Sequence, residues 1–591
     1  MGSQRGADMI ADYLQREGVR HVFTLCGHGN VGMLDALVDR AGKISTISVH
    51  HESVAGFMAD AYFRVLGRPA VTLTSCGPGS ANLPIALANA LMDSSAFLAI
   101  TGNVPTGQFN REPFQESGYH FQADFPSVVR PYVKRAFQAT RVEQLPTMLH
   151  VAFSTMVSGS PGPVNLDVPL DVFAEESDAE LPEPSDWHAG ISRHQAAGPS
   201  EMAKLVGMLR AARRPLIVAG RCAGLGEAGD ELLELANQLG IPVAWTPDGK
   251  GCIDSRNPLA IGATGRNGAL PANRAASSAD LIIALCARFD DRATSSWLNG
   301  YTFAIPPTRL VQVDVDVRQL ARNYPVVLGL AADPATFLHQ LREAFPSDET
   351  RGKQEWQPWH KQIADWRREW DQLTAPRRLD EAVPIRPERL LADLRSVFPA
   401  EGILLSDVGV HHNWIVQEWE VWTPNTLLQT WGFGAMGFGA AGALGAKVAA
   451  PDRAVLAVVG DGGFLMTANV VATAVEYDLP VIWLVWNNGG YVSIRDIQRG
   501  YLGREFVTTF ERRDARPYSP DFAALARSMG AEAYRVTEPG ELAESVRDAL
   551  DRHRPCVIDV IVDSERGPIG TGTWELAPLG HPEPAFSPVV Q

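Results

Sequence analysis

Two short stretches in the last third of the chain carry residue types that could hold a divalent cation against a phosphate. "VVGDGGFL" closes an apolar run with Gly460-Asp461-Gly462-Gly463, and "WLVWNNGGY" closes a second with Asn487-Asn488-Gly489-Gly490. Asp461 and an Asn side-chain oxygen are hard ligands of the kind Mg²⁺ takes, with phosphate oxygens and water completing its octahedron. The glycines let the backbone come close to a bound group. A third candidate stands far away, in "ISVHHESVAG", where an apolar stretch gives way to a small-residue helix starting at the carboxylate Glu52. Negative charge in a first helical turn is favoured in any protein, so Glu52 alone reads either as an ordinary helix-start residue or as chemistry.

For Asp461 and one of Asn487-Asn488 to act together, the two apolar runs must be neighbouring strands ending on one edge. A strand–helix–strand crossover returns the chain to the same sheet, and open α/β sheets bind ligands at the carboxyl ends of their strands. The rest of the sequence supports such sheets. HVFTL, STISV, PAVTLTS and AFLAITG read as strands between helix-period segments such as ADMIADYLQREGV and SVAGFMADAYFRVL. PLIVAG, IPVAW, DLIIALCA and RLVQVDV repeat the pattern, as do GILLSDV, AVLAVVG, PVIWLVW and CVIDVIV. Alternating strands and helices predict parallel sheets with helices on both faces.

The chain has 591 residues, too many for one domain of typical size. Residues 174–198, acidic and proline-bearing, and residues 345–385, rich in charge and Trp, break the alternation and read as linkers. They set off an N-terminal domain (1–173), a central domain (199–344) and a C-terminal domain (386–591). The expected fold class is α/β, with three doubly wound parallel-sheet domains.

Hydrophobic residues make up 45% of the chain and the formal net charge is −16. The first provides for a large core, and the second argues against nucleic acid or an anionic membrane as partner. The six cysteines lie far apart, with no metal-binding spacing and no disulfide framework. The N-terminal segment lacks a signal-peptide core and no apolar run reaches spanning length, so a cytoplasmic protein is expected.

GDG, then 24 residues, then NN, each at a strand end, is a specific combination. It resembles the signature of thiamine diphosphate (ThDP) enzymes, and nearly the whole chain is similar to their acetolactate synthase group. The resemblance implies that Asp461, Asn488 and the carbonyl of Gly490 hold Mg²⁺, with Gly460, Gly462 and Gly463 beside the cofactor. "TWGFGAMGFG" is similar to the pyrimidine-side loop, with Met436 beneath the cofactor and the Gly434 carbonyl accepting from its amino group. "SDVGVHHNW" is similar to a diphosphate loop, with His411 at the family's histidine position and Val410 where the synthases carry Gln. The family's catalytic glutamate falls on Glu52, hydrogen-bonded to the aminopyrimidine of a cofactor held by another subunit. A homodimer or homotetramer follows.

"PFQESGYHF" resembles the synthases' Phe-Gln segment, which makes Phe114 a substrate contact and Gln115 catalytic. "CARFDDRAT" resembles the segment whose arginine, here Arg292, binds the carboxylate of a second 2-oxo acid. With "GATGRNGALPAN" it also lies where the synthases bind FAD, an optional cofactor among relatives. Three departures stand out. Leu170 replaces a lysine, and Ile497 stands where the synthases have an acceptor-selecting Trp. "LCGHGN" places Cys26-Gly27-His28 where they have Pro-Gly-Gly, with His28 at the second glycine. Gly-His is similar to the dione hydrolases, trihydroxycyclohexanedione hydrolase and cyclohexane-1,2-dione hydrolase, and puts His28 at the reacting carbon.

The implied activity is a ThDP- and Mg²⁺-dependent lyase or carboligase. It decarboxylates a 2-oxo acid, pyruvate by preference, and passes the acyl carbanion equivalent to a second carbonyl. Cleavage of a 1,2-dione and a non-catalytic homologue are the alternatives.

Overall fold

The computed structural model describes residues 2–118, 124–187, 194–224, 226–346 and 354–575. It contains three six-stranded sheets and one short antiparallel pair, Gln4–Arg5 with Glu176–Ser177. The N-terminal sheet is built from β1 (His21–Thr24), β2 (Ser45–Ser48), β3 (Ala70–Thr74), β4 (Phe97–Asn103), β5 (Arg135–Gln138) and β6 (Val164–Pro169). The central one has β7 (Pro215–Ala219), β8 (Val243–Trp245), β9 (Ala260–Ala263), β10 (Leu281–Leu285), β11 (Arg309–Asp314) and β12 (Leu328–Ala331). The C-terminal one has β13 (Ile403–Ser406), β14 (Leu427–Gln429), β15 (Val455–Gly460), β16 (Val481–Asn487), β17 (Glu532–Val536) and β18 (Cys556–Ile561).

Every pairing within the three large sheets is parallel. Helices therefore cover both faces, and all seven residues of β4 and of β16 are buried. The N-terminal order is β2-β1-β3-β4-β6-β5 and the C-terminal order is β14-β13-β15-β16-β18-β17. Counted within each domain these are the same order, 2-1-3-4-6-5. The central sheet runs β9-β8-β7-β10-β11-β12, or 3-2-1-4-5-6.

The two outer domains pack mainly through one helix each. Helix Glu52–Leu66 follows β2, and helix Phe438–Ala449 follows β14. Both are Ala/Gly-rich and buried along almost their whole length. A Cβ on Gly445 would fall 2.0 Å from the Met58 carbonyl, so the two backbones touch there only because position 445 is glycine. At the rim of this contact Arg64 pairs with buried Asp60 and Asp93 and donates to the Gln429 carbonyl, so the buried charge has partners.

Segment 345–385 carries the helix Gln357–Thr374. Its buried Trp359, with Trp356 just before it, donates indole N–H bonds to the carbonyls of Pro215 and Ala212, tying the helix to the central domain. The C-terminal tail also crosses back: Gln417 bonds Ile569 in both directions, and Thr571 bonds Gly268 and Asn273.

Candidate active site

The carboxyl ends of β15 and β16 lie side by side, with Gly460 opposite Trp486. Asp461 opens the helix Asp461–Thr467 and is buried. Its Oδ1 accepts from Gly462 N at 2.7 Å, and Oδ2 accepts from Gly489 N at 2.7 Å and Gly490 N at 3.1 Å. No cationic side chain pairs with it among the described residues, and burial pushes its carboxyl up to about 6. A buried carboxylate held only by backbone N–H groups suits a cation. Gly490 makes the turn at φ +152, where a Cβ would strike the Thr508 carbonyl at 2.3 Å.

The alternation of β16 sorts the two asparagines. Asn487 turns inward, donating to Asp559 Oδ1 and Ser519 Oγ, while Asn488 faces the cavity beyond the strand ends. Among the described residues no three His, Cys, Asp or Glu side chains cluster as a metal site. A cation here must therefore draw on one carboxylate, an amide and a carbonyl oxygen, with the rest from a ligand or water. Mg²⁺ fits such a donor set.

The cavity is about 380 Å³. It gathers Gly434, Met436, His411, Gly460, Asp461, Gly462, Gly463, Asn488, Gly490, Ile497 and Arg292, all read from sequence as one site. His411 is fully buried, its Nε2 has no partner, and burial lowers its pKa to about 4, so it is a neutral imidazole at neutral pH. An orphaned polar atom in a cavity this size calls for a ligand or water atom as partner.

Arg292 reaches the cavity from the central domain. Its guanidinium carbon lies 3.8 Å from the ring centroid of Trp574, whose indole N–H donates to Asp291 Oδ2 at 2.7 Å. Tyr501, one turn beyond Ile497, donates to the Trp574 carbonyl at 2.7 Å. Trp574, His412 and Trp431 line the cavity as well, and sequence reading singled out none of them. "SDVGVHHNW" shows two histidines, and the second, His412, rests on Trp431 at 3.9 Å between ring centroids. The flavin-like stretch is engaged by the chain's own tail. The Gly268 carbonyl accepts from Thr571 Oγ1, and that hydroxyl in turn accepts from the Asn273 amide.

The remaining residues form a second cluster at the carboxyl edge of the N-terminal sheet. Glu52 is the first residue of its helix, after His51, whose Nδ1 accepts from Ser53 N at 3.2 Å. Glu52 is 7% exposed, and its Oε2 accepts from Asn82 Nδ2 at 2.9 Å. The loop after β1 carries Gly27 and His28, and the loop after β3 carries Cys76 and Gly77. His28 Nε2 lies 3.4 Å from Cys76 Sγ, and its ring stacks on Phe114 at 5.6 Å. Gln115, at φ +62, sets its backbone against Gly77. Glu52, Gln115, His28, Gly27 and Phe114 thus share an edge, but none of them lines the cavity of the same chain.

Two sheets of one topology, one ending in a buried carboxylate held by backbone N–H groups and the other in a buried glutamate, are the architecture of the ThDP-enzyme class. Comparison with known proteins gives the same class. Residues 4–123 match the N-terminal TPP binding domain of thiamine pyrophosphate enzymes, 202–341 the central domain and 407–560 the C-terminal TPP binding domain. The chain is 32% identical over 568 residues to a probable acetolactate synthase large subunit of Methanocaldococcus jannaschii, covering 95% of this chain and 92% of that one. It is 32% identical over 593 residues to the acetolactate synthase large subunit of Parasynechococcus marenigrum (98% and 92%). It is 30% identical over 580 residues to the mitochondrial acetolactate synthase catalytic subunit of Aspergillus candidus (95% and 81%). The chain belongs to the ThDP-dependent enzymes and is acetolactate synthase large subunit-like. No helix among the described residues is long and apolar enough to cross a membrane.

Proposed function

We propose that this protein is a ThDP- and Mg²⁺-dependent carboligase that decarboxylates a 2-oxo acid, pyruvate first, and passes the two-carbon unit to a second carbonyl. The observation that carries this reading is the single cavity joining Asp461, Asn488 and orphaned His411 to the Arg292 guanidinium. Asp461, Asn488 and the Gly490 carbonyl would hold Mg²⁺. His411 and the glycines of 460–463 would receive the diphosphate, and Gly434 and Met436 the pyrimidine side. ThDP supplies the electron sink on which such reactions depend.

Every other task falls to side chains. Arg292 offers a planar donor fork for the acceptor's carboxylate, and Ile497 forms an apolar wall. Glu52, buried and held by Asn82, handles the proton at the cofactor's aminopyrimidine. Gln115 and His28 present polar groups to the reacting carbonyl, with Phe114 closing over them. Because the Glu52 cluster does not line its own chain's cavity, the complete site is assigned to a homodimer or homotetramer in which one subunit's N-terminal edge faces another's cavity. FAD is given no step. Purified protein mixed with ThDP, Mg²⁺ and pyruvate, followed by NMR, is the test. Acetolactate, or an acetoin-type product with added aldehyde, upholds the reading.

A second reading has one observation in its favour. His28 is exposed at the same edge as Glu52, where a donor to the second oxygen of a 1,2-dione would stand. Cofactor loading without pyruvate loss, together with cleavage of a cyclic dione, would select it.

A further inference from the structure

We propose that Cys76 is a positioning residue for His28: its thiol donates to Nε2, fixes the imidazole as the Nδ1–H tautomer, and leaves that N–H as the donor offered to a substrate oxygen. This deepens the reading of the Glu52 edge as the carbonyl-handling half of the site and rests on it.

The two loops are built to bring these atoms together. Gly29 N donates to Ser75 Oγ at 3.1 Å, tying the loop after β1 to the loop after β3. A Cβ on Gly29 would lie 2.8 Å from both the Cys76 nitrogen and Sγ, so glycine there lets the loops close. His28 Nε2 then stands 3.4 Å from Sγ, within sulfur hydrogen-bond range. Phe114 covers the ring at 5.6 Å and 29°. No other hydrogen bond to His28 is present among the described residues, so Nδ1 is unengaged.

Which atom carries the proton follows from the environments. Cys76 is buried while His28 is exposed, and burial raises the thiol's pKa, so the sulfur keeps its hydrogen at neutral pH. Thiol sulfur accepts only weakly whereas a bare imidazole nitrogen accepts well, so the pair is assigned with the thiol donating, and a neutral imidazole that accepts at one nitrogen donates at the other. Accepting at Nε2 places the ring hydrogen on Nδ1. An N–H aimed at an oxygen that gains negative charge is the preorganised donor such chemistry uses. No bond to sulfur forms or breaks, and the thiol acts only through His28.

The test reads the tautomer directly. Protein labelled with ¹⁵N-histidine and loaded with ThDP and Mg²⁺, without substrate, gives the ring-nitrogen shifts, and loss of one set in His28→Gln assigns His28 among the 14 histidines. The wild type is expected to show protonated Nδ1 and bare Nε2. Cys76→Ala should move the proton toward Nε2, and Cys76→Ser should restore the wild-type pattern. Protonated Nε2 in the wild type, which needs no variant to fold, would overturn the proposal, as would an unchanged tautomer in Cys76→Ala. In turnover, Cys76→Ala should lower kcat about five- to tenfold, the worth of one hydrogen bond, with KM little changed. The NMR result stands whether or not pyruvate is the substrate, so its failure and the failure of the functional reading are separate events.

Discussion

The N- and C-terminal domains have the same strand order, yet their equivalent strand ends carry opposite chemistry. After the first strand comes Gly27-His28 in one domain and Gly409-Val410-His411 in the other. His28 is exposed, while His411 is buried and neutral. After the third strand comes Cys76-Gly77 in one and Gly460-Asp461-Gly462 in the other. A doubly wound sheet supplies an edge of strand ends and helix starts, but only the side chains decide what the edge does. Under the proposed function one edge would take a cation and a diphosphate and the other would handle protons at the aminopyrimidine and the reacting carbonyl, and the small-residue helices Glu52–Leu66 and Phe438–Ala449 pack the two domains together within one chain.

The largest effect should come from breaking the C-terminal edge. Asp461→Asn removes the one carboxylate of the proposed metal site, and loss of a buried charge partner costs roughly 3–5 kcal/mol. ThDP uptake in the presence of Mg²⁺, measured by calorimetry, should weaken on the order of a hundredfold or more, with turnover lost alongside. Uptake close to wild type would move the cation elsewhere.

Breaking the N-terminal edge should separate binding from chemistry. Glu52→Gln is expected to load ThDP normally and to turn over about 10²–10⁴ times more slowly, the range of acid–base groups. The two variants together test the assignment across subunits. If Glu52 serves the cavity of a partner, mixed oligomers of Glu52→Gln and Asp461→Asn chains contain one site with both native residues, and co-expression recovers activity. Recovery would be absent if both residues served one chain's cavity.

The central domain contributes a single side chain to this comparison. Arg292→Lys keeps the charge but loses the planar fork, and should raise KM for a carboxylate-bearing acceptor about tenfold while sparing decarboxylation of the donor. An unchanged KM would detach Arg292 from acceptor binding. Gly445→Ala acts on the lock instead: its added Cβ meets the Met58 carbonyl, and overpacking of this kind costs about 1–3 kcal/mol. The expected result is a lowered Tm with cofactor affinity per folded molecule retained.

The fold was legible in sequence at most strands buried on both faces, because parallel strands then read as continuous apolar runs; the buried interior strand Val164–Pro169, whose run is broken by Asn165 and Asp167, was not read. GILLSDV, AVLAVVG and PVIWLVW all became strands, and the three-domain α/β class holds. The sheet-edge strands Arg135–Gln138, Leu427–Gln429 and Glu532–Val536 were not read, since short or half-buried strands lack such runs. Of the cavity, the GDG and NN ends were legible because strand geometry alone brings them together. Trp574 was not, for it reaches Arg292 across 282 positions of sequence, through a tail whose path only tertiary contacts define. The pairing of His28 with Cys76 was hidden for the same reason.

The smallest expected effect concerns pH, and it sets Asp461 against a carboxyl of the other outer domain. Burial pushes both Asp461 and Asp167 up to about 6. Asp167 is fully tied up by Thr101, Asn103 and Gln138, whereas Asp461 has only backbone donors. A carboxyl whose folded pKa lies above its unfolded value, about 3.9, binds more protons folded than unfolded across that window. Stability of the unloaded protein at these two sites therefore falls as pH rises from about 4 to about 6. Mg²⁺ requires the ionised form of Asp461, so its affinity should drop toward tenfold per pH unit below 6 and level off above it. Thermal denaturation with and without Mg²⁺ and ThDP between pH 5 and 7 reads both trends. The ligand-induced rise in Tm should grow with pH in the wild type and lose that dependence in Asp461→Asn, while Asp167→Asn leaves it in place. A ligand effect independent of pH in the wild type would mean that the cation does not compete with the Asp461 proton.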